Sequence, residues 1–360
     1  MLSEDFASQD ERFSRAFQVL AAGIDQKAFP GASLAITHNG RLVALKGIGR
    51  FTYDQNSSPV TAETVYDLAS ITKVVATTAA CMVLYERGIL QLEQRLVDVL
   101  PEFSGHDPRR QNVTFRMLLA HSSGLPAYVR LFERVRTRED LIHEALRLPL
   151  AAAPGSREEY SDIGFILLGI ALERLTKQPL DRFCQAEIFS WLGLERTAFR
   201  PPWEWNPMIP PTVDDRTFRH RIVHGEVHDE NACVMSGIAG HAGVFATARD
   251  VASFADCMLE LGHQLVQPGT IQLFTRRESW PPGTSRALGW DTPSPPSQSG
   301  RYFSPSSFGH LGYTGTSLWI DPHRQLSVTL LTNRVWPDCA SQKIKQIRPA
   351  FHDAVVEALK

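Results

Sequence analysis

The sequence predicts an α/β (α+β) fold: one antiparallel sheet built from both chain ends, flanked by helices, with a mostly helical lobe inserted between its strands. Three observations predict it. Near the start, Ala32-Ser-Leu-Ala-Ile-Thr37 and Arg41-Leu-Val-Ala-Leu-Lys46 flank His38-Asn39-Gly40, and Asn-Gly between apolar runs is a hairpin signal. Near the end, Thr316-Ser-Leu-Trp-Ile320 and Leu326-Ser-Val-Thr-Leu-Leu-Thr332 flank Asp321-Pro322, a second hairpin-like pair. Between these ends the apolar residues recur at spacings of three and four, the period of helices.

In chain order, a helix over Glu11 to Gln26 precedes the first hairpin. Val65-Tyr66-Asp67-Leu68-Ala69 reads as a strand. Ser70 to Gly88, Thr114 to His121, Asp140 to Arg147, Asp162 to Lys177 and Arg249 to Gly262 read as helices. Proline-rich loops separate them, at Pro201-Pro202, Pro210-Pro211 and Trp280 to Ser299, and a last helix over Ser341 to Leu359 follows the second hairpin. Trp203, Trp205, Trp280 and Trp290 fall in these loops, where they either line a pocket or anchor the loops. No repeat of fixed period is present. The chain reads as a single domain over residues 1–360, with a sheet lobe from about 1–65 and 300–360 and a helical lobe from about 66–299. A cleft between the lobes is where a site is expected.

Composition narrows the function classes. The chain has 360 residues, 43% hydrophobic and 21% charged, which excludes disordered and fibrous architectures and suffices for a core without disulfide or metal staples. Lys plus Arg is 37 against 39 Asp plus Glu, a net charge of −2. No basic excess exists to hold phosphates, so neither nucleic acid nor an anionic membrane is an expected partner. Cys81, Cys184, Cys233, Cys257 and Cys339 form no C-x-x-C pair and read as thiols of a reducing compartment. The first residues lack a basic stretch followed by an apolar run, so they are not a signal peptide. The most apolar stretch, Ile163 to Leu172, is about half a membrane crossing. The expected location is cytoplasmic, or periplasmic if an export sequence precedes this chain.

The most informative tetrapeptide is Ser70-Ile71-Thr72-Lys73, the S-x-x-K pattern. A serine in a first helical turn gains from unpaired N–H groups and the positive dipole end, and a lysine three residues on shares its face. A hydroxyl beside an amine at such a site is what a serine nucleophile needs; the plainer reading makes Ser70 an N-cap. Tyr160-Ser161-Asp162 directly precedes a helix that either Ser161 or Asp162 caps, leaving Tyr160 at the helix mouth. His310-Leu311-Gly312 lies just ahead of a C-terminal strand, where Gly312 lets a substrate approach the backbone closely.

In this order the three motifs resemble the serine β-lactamase and penicillin-binding-protein superfamily. The likeness is to its class C-like branch, which includes D-alanyl-D-alanine carboxypeptidases, class C β-lactamases and family VIII esterases. Leu118-Leu-Ala-His-Ser-Ser-Gly-Leu-Pro126, Gly240-His-Ala-Gly-Val-Phe-Ala-Thr247 and Gly309 to Pro322 match the same branch, and the likeness runs from about Ala32 to Pro337. The resemblance implies a β-lactamase/transpeptidase-like fold. It also implies Ser70 as acylated nucleophile, Lys73 as its partner, Tyr160 as general base or acid, and His310 in the place of the third-motif cation. The oxyanion hole would be the backbone N–H groups of Ser70 and Tyr313, fixed before charge develops. No metal or organic cofactor is implied.

Two departures from the family pattern bear on substrate and base. The second motif usually ends in asparagine; here it is Asp162, a substrate-binding position where a carboxylate accepts but does not donate. Directed at Lys73, it would favour the ammonium form and leave Tyr160 to take the Ser70 proton. The third motif usually carries a threonine where Leu311 stands; Thr314 and Thr316 are the nearby substitutes. His310 is also expected to give an activity change near its ordinary pKa of about 6.5.

His220, His224 and His228 recur every fourth residue, followed by Asp229 and Glu230. On a helix they would share a face and suit zinc, but Gly225 and the β-prone Arg221-Ile-Val223 argue against that helix. Gly225 to Ala232 instead resembles a cleft-lining loop of one branch of the superfamily, which makes Asp229 and Asn231 candidate substrate contacts. His241, in the glycine-rich Gly237 to Gly243, is a further lining candidate.

The expected activity is therefore that of a serine hydrolase on a small molecule. An ester, an amide or a cell-wall muropeptide leads; a β-lactam or D-alanyl-D-alanine peptide follows, since Leu311 lacks the hydroxyl that holds their carboxylate. The other class considered is a penicillin-binding sensor that acylates without turnover. An α/β-hydrolase triad is set aside, because the chain has no G-x-S-x-G elbow.

Overall fold

Two hairpins from opposite ends of the chain meet in one sheet. The computed structural model describes residues 2–260 and 265–360. Its strands are β1 (Ser3–Glu4), β2 (Gly31–His38), β3 (Arg41–Gly49), β4 (Val65–Asp67), β5 (Thr197–Phe199), β6 (Val213–Asp215), β7 (Arg221–Val223), β8 (Val244–Thr247), β9 (Phe308–Leu311), β10 (Ser317–Asp321) and β11 (Leu326–Thr332). The main sheet has the order β1-β3-β2-β11-β10-β9, antiparallel throughout except for the short β1–β3 pair. Asn39 and Gly40 both have positive φ, 52° and 70°, the geometry that lets a two-residue turn match strand twist. The ends of the chain are joined where Ala32–His38 of β2 pairs with Leu326–Thr332 of β11.

Side-chain alternation then builds two layers. Leu34, Ile36, Val328 and Leu330 pack with Phe17, Leu20, Ile347 and Phe351, from the helices Ser14–Asp25 and Ile344–Glu357. Ala35, Leu318, Ile320 and Leu331 face the other way, into the core that holds Val251, Ala252 and Ala255 of the helix Ala248–Leu259. The expected end of that last helix, Gly262, lies outside the described residues.

The stretch between the two hairpins is less purely helical than its spacing suggests. It contains a three-stranded sheet, β4-β8-β5, and a β6–β7 ribbon. These strands are three or four residues long, too short for a period of two to register. The helix expected over Ser70 to Gly88 is a composite: a 3₁₀ turn at Ala69–Ile71, a π turn at Lys73–Thr78 and an α-helix at Ala79–Glu86. The π turn, a form concentrated at functional sites, lies where the helix is sewn to the 240–244 segment. Thr77 Oγ1 donates to Gly240 O at 2.6 Å, and Val244 N–H donates to Thr72 Oγ1 at 3.1 Å. Of the four loop tryptophans, Trp290 is fully buried against Phe254 and Phe308, whereas Trp203 and Trp280 are exposed. No described helix is long and apolar enough to cross a membrane.

Candidate active site

β4 ends at Asp67, and the chain turns sharply before the composite helix. Ala69 has a φ of 48°, a costly conformation for a residue with a Cβ. The carboxylate of Asp67 holds it there. Asp67 Oδ1 accepts from Ala69 N–H at 2.8 Å, and Oδ2 accepts from His228 N–H at 2.6 Å. This turn presents Ser70 to a cavity of about 730 Å³.

Lys73 is completely buried. Its Nζ donates to Ser70 Oγ at 2.9 Å, Asp162 Oδ1 at 2.7 Å and His241 O at 3.1 Å. An ammonium has three N–H groups, and these three acceptors share them with the Tyr160 hydroxyl, which also bonds Lys73. Burial pulls the Lys73 pKa down, but Asp162 and Tyr160 outweigh it and the net direction is up. The Tyr160 hydroxyl bonds both Lys73 and Ser70, and burial raises its pKa despite the opposing pull of Lys73. These shifts favour the ammonium form of Lys73 and the phenol form of Tyr160.

Local caps explain the placement. Ser161 Oγ accepts from Gly164 N–H at 3.0 Å and caps the helix Asp162–Thr176, which frees the Asp162 carboxylate for Lys73. The His121 ring lies 4.5 Å from the Tyr160 ring and fixes it from behind. Gly240 brings the next segment close: a Cβ there would lie 2.1 Å from Phe165 O. Only this approach sets the carbonyl of His241 over Lys73.

The first two residues of the third motif end a strand of their own, β9, which the sequence reading did not separate from the strand that follows, and His310 there is not held as a cation. Its Nδ1–H donates to the Leu311 carbonyl at 2.8 Å, leaving Nε2 with a lone pair. Burial, Lys73 and Arg286 together push its pKa well below the ordinary value. The expected titration of His310 between pH 6 and 7 is therefore corrected downward. Positive charge beside it comes instead from Lys73 and from Arg286, whose guanidinium lies 5.3 Å from the Tyr160 ring and donates to Glu158 Oε1 at 2.8 Å. Thr314 and Thr316 do not replace the hydroxyl missing at Leu311. Both are buried and donate to the carbonyls of Asp67 (2.8 Å) and Leu68 (3.0 Å), so Thr314 leaves the substrate-contact set. Gly312 and Tyr313 line the cavity together with Ser70.

The loop after β7 divides its candidates. Asp229 lines the cavity, caps the helix Glu230–Val234 through Ala232 N–H at 2.7 Å, and accepts from His241 Nε2 at 2.8 Å. Asn231 does not reach the cavity. It is fully buried, donates to Val129 O at 2.9 Å and accepts from Phe132 N–H at 3.0 Å, clamping the opposite loop. His220, His224 and His228 share no helix: His220 is in a positive-φ turn, and His224 Nε2 bonds Ile209 O at 2.8 Å. His228 lines the cavity, with its Nε2 3.6 Å from Cys339 Sγ. Among the described residues no three His, Cys, Asp or Glu side chains are placed to hold a metal ion.

Sequence reasoning missed a cationic wall. Arg334, Lys345 and Arg348 line the cavity, and among the described residues none has a carboxylate within 4 Å. Arg334 is spent on the carbonyls of Tyr313 and Ser341. Arg348 is buried, with its Nε lacking a partner in the protein. Burial and the neighbouring Arg334 pull the Arg348 pKa down to about 9. The only sequence signal was the i, i+3 spacing of Lys345 and Arg348, which does not reveal what that helix start packs against.

The chain is similar to known proteins in sequence and in fold. The sequence profile of the family described as Beta-lactamase matches residues 16–349. The chain is 32% identical over 361 residues to a putative D-alanyl-D-alanine carboxypeptidase of Escherichia coli (strain K12), covering 90% of this chain and 82% of that protein. It is 30% identical over 343 residues to an N-acetylmuramyl-L-alanine amidase of Bacillus subtilis (strain 168), covering 85% and 77%. Its fold matches that of EstCE1, a hydrolase with promiscuous acyltransferase activity, with a TM-score of 0.78 at 20% identity over 96% of this chain and 99% of that one.

Proposed function

The chain belongs to the beta-lactamase family of serine hydrolases, and from that premise we propose that it cleaves an amide of a carboxylate-bearing cell-wall muropeptide through an acyl-enzyme on Ser70. The observation that carries the substrate class is Arg348. A buried cation with no carboxylate partner is costly, and on a cavity wall it calls for an anionic substrate group. The names of two relatives, a putative D-alanyl-D-alanine carboxypeptidase and an N-acetylmuramyl-L-alanine amidase, agree with a wall-derived amide. A cytoplasmic location, where released wall fragments are met, is part of this proposal.

In the proposed acylation, Ser70 Oγ attacks the amide carbon while the N–H groups of Ser70 and Tyr313 receive the developing oxyanion. Tyr160, held as a phenol, takes the Ser70 proton as it gives its own to the leaving nitrogen. The C–N bond breaks, and Tyr160 ends as it began. Lys73 stays an ammonium, steadying both oxygens. His310 and Gly312 form the wall against which the substrate lies.

The test is product analysis on a muramyl tripeptide, its C-terminally amidated analogue, p-nitrophenyl acetate and nitrocefin, with Ser70→Ala as control. The expected result is cleavage of the tripeptide, lost in Ser70→Ala and weakened for the amidated analogue and in Arg348→Met. Rapid nitrocefin turnover, about 10 per second, with the tripeptide left intact would overturn the substrate class.

A further inference from the structure

We propose that the substrate carries a free ammonium group besides its carboxylate, and that Glu230 and the ring of Tyr128 receive it inside the cavity. The inference rests on the muropeptide reading above and names a second charged group of that substrate.

Charge in the cavity is balanced except at two places. Among the described residues four carboxylates line it: Asp162, Asp229, Glu230 and Asp291. Asp162 is paired with Lys73, and Asp229 accepts from His241 Nε2 at 2.8 Å. Asp291 Oδ1 lies 3.7 Å from Arg286 Nη1 and accepts from Ser285 Oγ at 2.8 Å. Glu230 differs. Among the described residues no Lys, Arg or His forms an ion pair with it, and its hydrogen-bond partner is its own N–H. Arg219, whose charge faces it, is paired instead with Asp215 at 3.1 Å. The other place is the cationic wall, where Lys345 and Arg348 lack a carboxylate and do not pair with Glu230.

Burial and the carboxylates of Asp229 and Asp215 raise the Glu230 pKa against the pull of its N–H and Arg219, as for any carboxylate short of positive charge. The Glu230 charge also helps to raise the pKa of Tyr128 and of Cys339, both on the cavity wall, so its field falls across the cavity. A purely anionic substrate would suit the cationic wall and be repelled by Glu230. An apolar group would bury that carboxylate unpaired, which is costly. An ammonium pairs with it.

Tyr128 supplies the second contact. Its side chain lines the cavity and is 41% exposed, and among the described residues neither a ring nor a cation is stacked on it. The other exposed aromatic of the cavity, Tyr313, is already covered, by the Arg334 guanidinium 4.5 Å from its ring centre and by the His228 ring at 5.5 Å. An open aromatic face attracts a cation brought within about 6 Å of its centre. Asp229, Glu230 and Asp162 all face Tyr128, with Arg130 opposing them, which adds to that attraction. The backbone on each side of Tyr128 is fixed. Asn231, the neighbour of Glu230, donates to Val129 O at 2.9 Å, and Ala127 O accepts from Asp162 N–H at 2.8 Å. The buried Asn231 is therefore a positioning residue that keeps Tyr128 beside Glu230.

The test compares kcat/KM for a muramyl tripeptide ending in L-lysine with that for the same peptide Nε-acetylated, which keeps the terminal carboxylate and removes the positive charge. The wild type is expected to prefer the lysine peptide by about 10-fold or more, as charge-assisted contacts do. In Glu230→Gln the ratio should fall toward equality, Glu230→Asp should recover part of it, and Tyr128→Leu should lower it. A merely structural role for Glu230 would slow both peptides by one factor and keep the ratio, and that result would overturn the assignment. Equal kcat/KM for the two peptides in the wild type would also overturn it, while leaving the muropeptide reading in place. If the wild type cleaves neither peptide, the muropeptide reading falls and this inference with it.

Discussion

Lys73 Nζ lies 2.7 Å from Asp162 Oδ1, and both hang on the composite helix and the helix capped by Ser161. This ion pair decides what the lysine can do. A buried amine alone would lose its proton readily; with Asp162 beside it, the balance runs the other way.

The first prediction concerns that charge. Asp162→Asn keeps an acceptor at the same place but removes the anion, so burial dominates and Lys73 deprotonates at lower pH. The alkaline limb of kcat/KM is expected to move to lower pH than in the wild type. An unmoved limb would show that the charge of Lys73 does not govern the rate.

Tyr160→Phe removes the proton shuttle and leaves Lys73 with its acceptors. Loss of such a group typically costs 10²–10⁴-fold, so acylation by p-nitrophenyl acetate should fall by about that factor. A variant that keeps most of its acylation rate, alongside a dead Lys73→Met, would transfer the role to the lysine.

Gly312→Ala tests the wall opposite Ser70. The added Cβ would lie 1.9 Å from Thr316 Oγ1 and 2.6 Å from Leu68 O. The strand end must move, costing about 1–3 kcal/mol of stability and spoiling the Tyr313 N–H. Thermal unfolding should drop by several degrees, and kcat should fall more than KM rises. Wild-type kcat would remove Tyr313 from the oxyanion assignment.

A further prediction follows from Asp67, whose pKa burial raises to about 6 against the pull of His228 N–H and Ala69 N–H, with Asp229 and Arg219 also facing it. An acid raised in the folded state is protonated as pH falls through about 6, earlier than in the unfolded chain. For this group alone, acidification toward its unfolded pKa favours the fold, while the charge-assisted bonds to the nucleophile turn weaken. Activity is expected to decline as pH falls through about 6, and Asp67→Asn should lower the neutral-pH rate and abolish that inflection. An inflection that persists in Asp67→Asn would assign it elsewhere.

What the sequence made legible was set by local chemistry. The Asn39-Gly40 turn needs two positive φ values, the cap at Ser161 needs a hydroxyl before an apolar helix, and Ser70 and Lys73 share a face at three residues' spacing. Each is read within one element. What escaped depends on packing between elements. Thr314 and Thr316 looked available until the Asp67 and Leu68 carbonyls were found to hold them. Asn231 looked like a substrate contact beside Asp229, but a helix turn sends it into the protein. His310 looked like a cation until its burial beside Lys73 and Arg286 was seen. Arg348 carried no sequence mark, because only the tertiary fold brings the last helix to the cavity.

The most direct measurement is intact-protein and peptide mass analysis after brief exposure to p-nitrophenyl acetate and to a muramyl tripeptide, run in parallel on wild type and Ser70→Ala. The account predicts an acyl adduct confined to the peptide bearing Ser70, with product formed, and neither in Ser70→Ala. Hydrolysis by Ser70→Ala at the wild-type rate, or an adduct on any other residue, would contradict it.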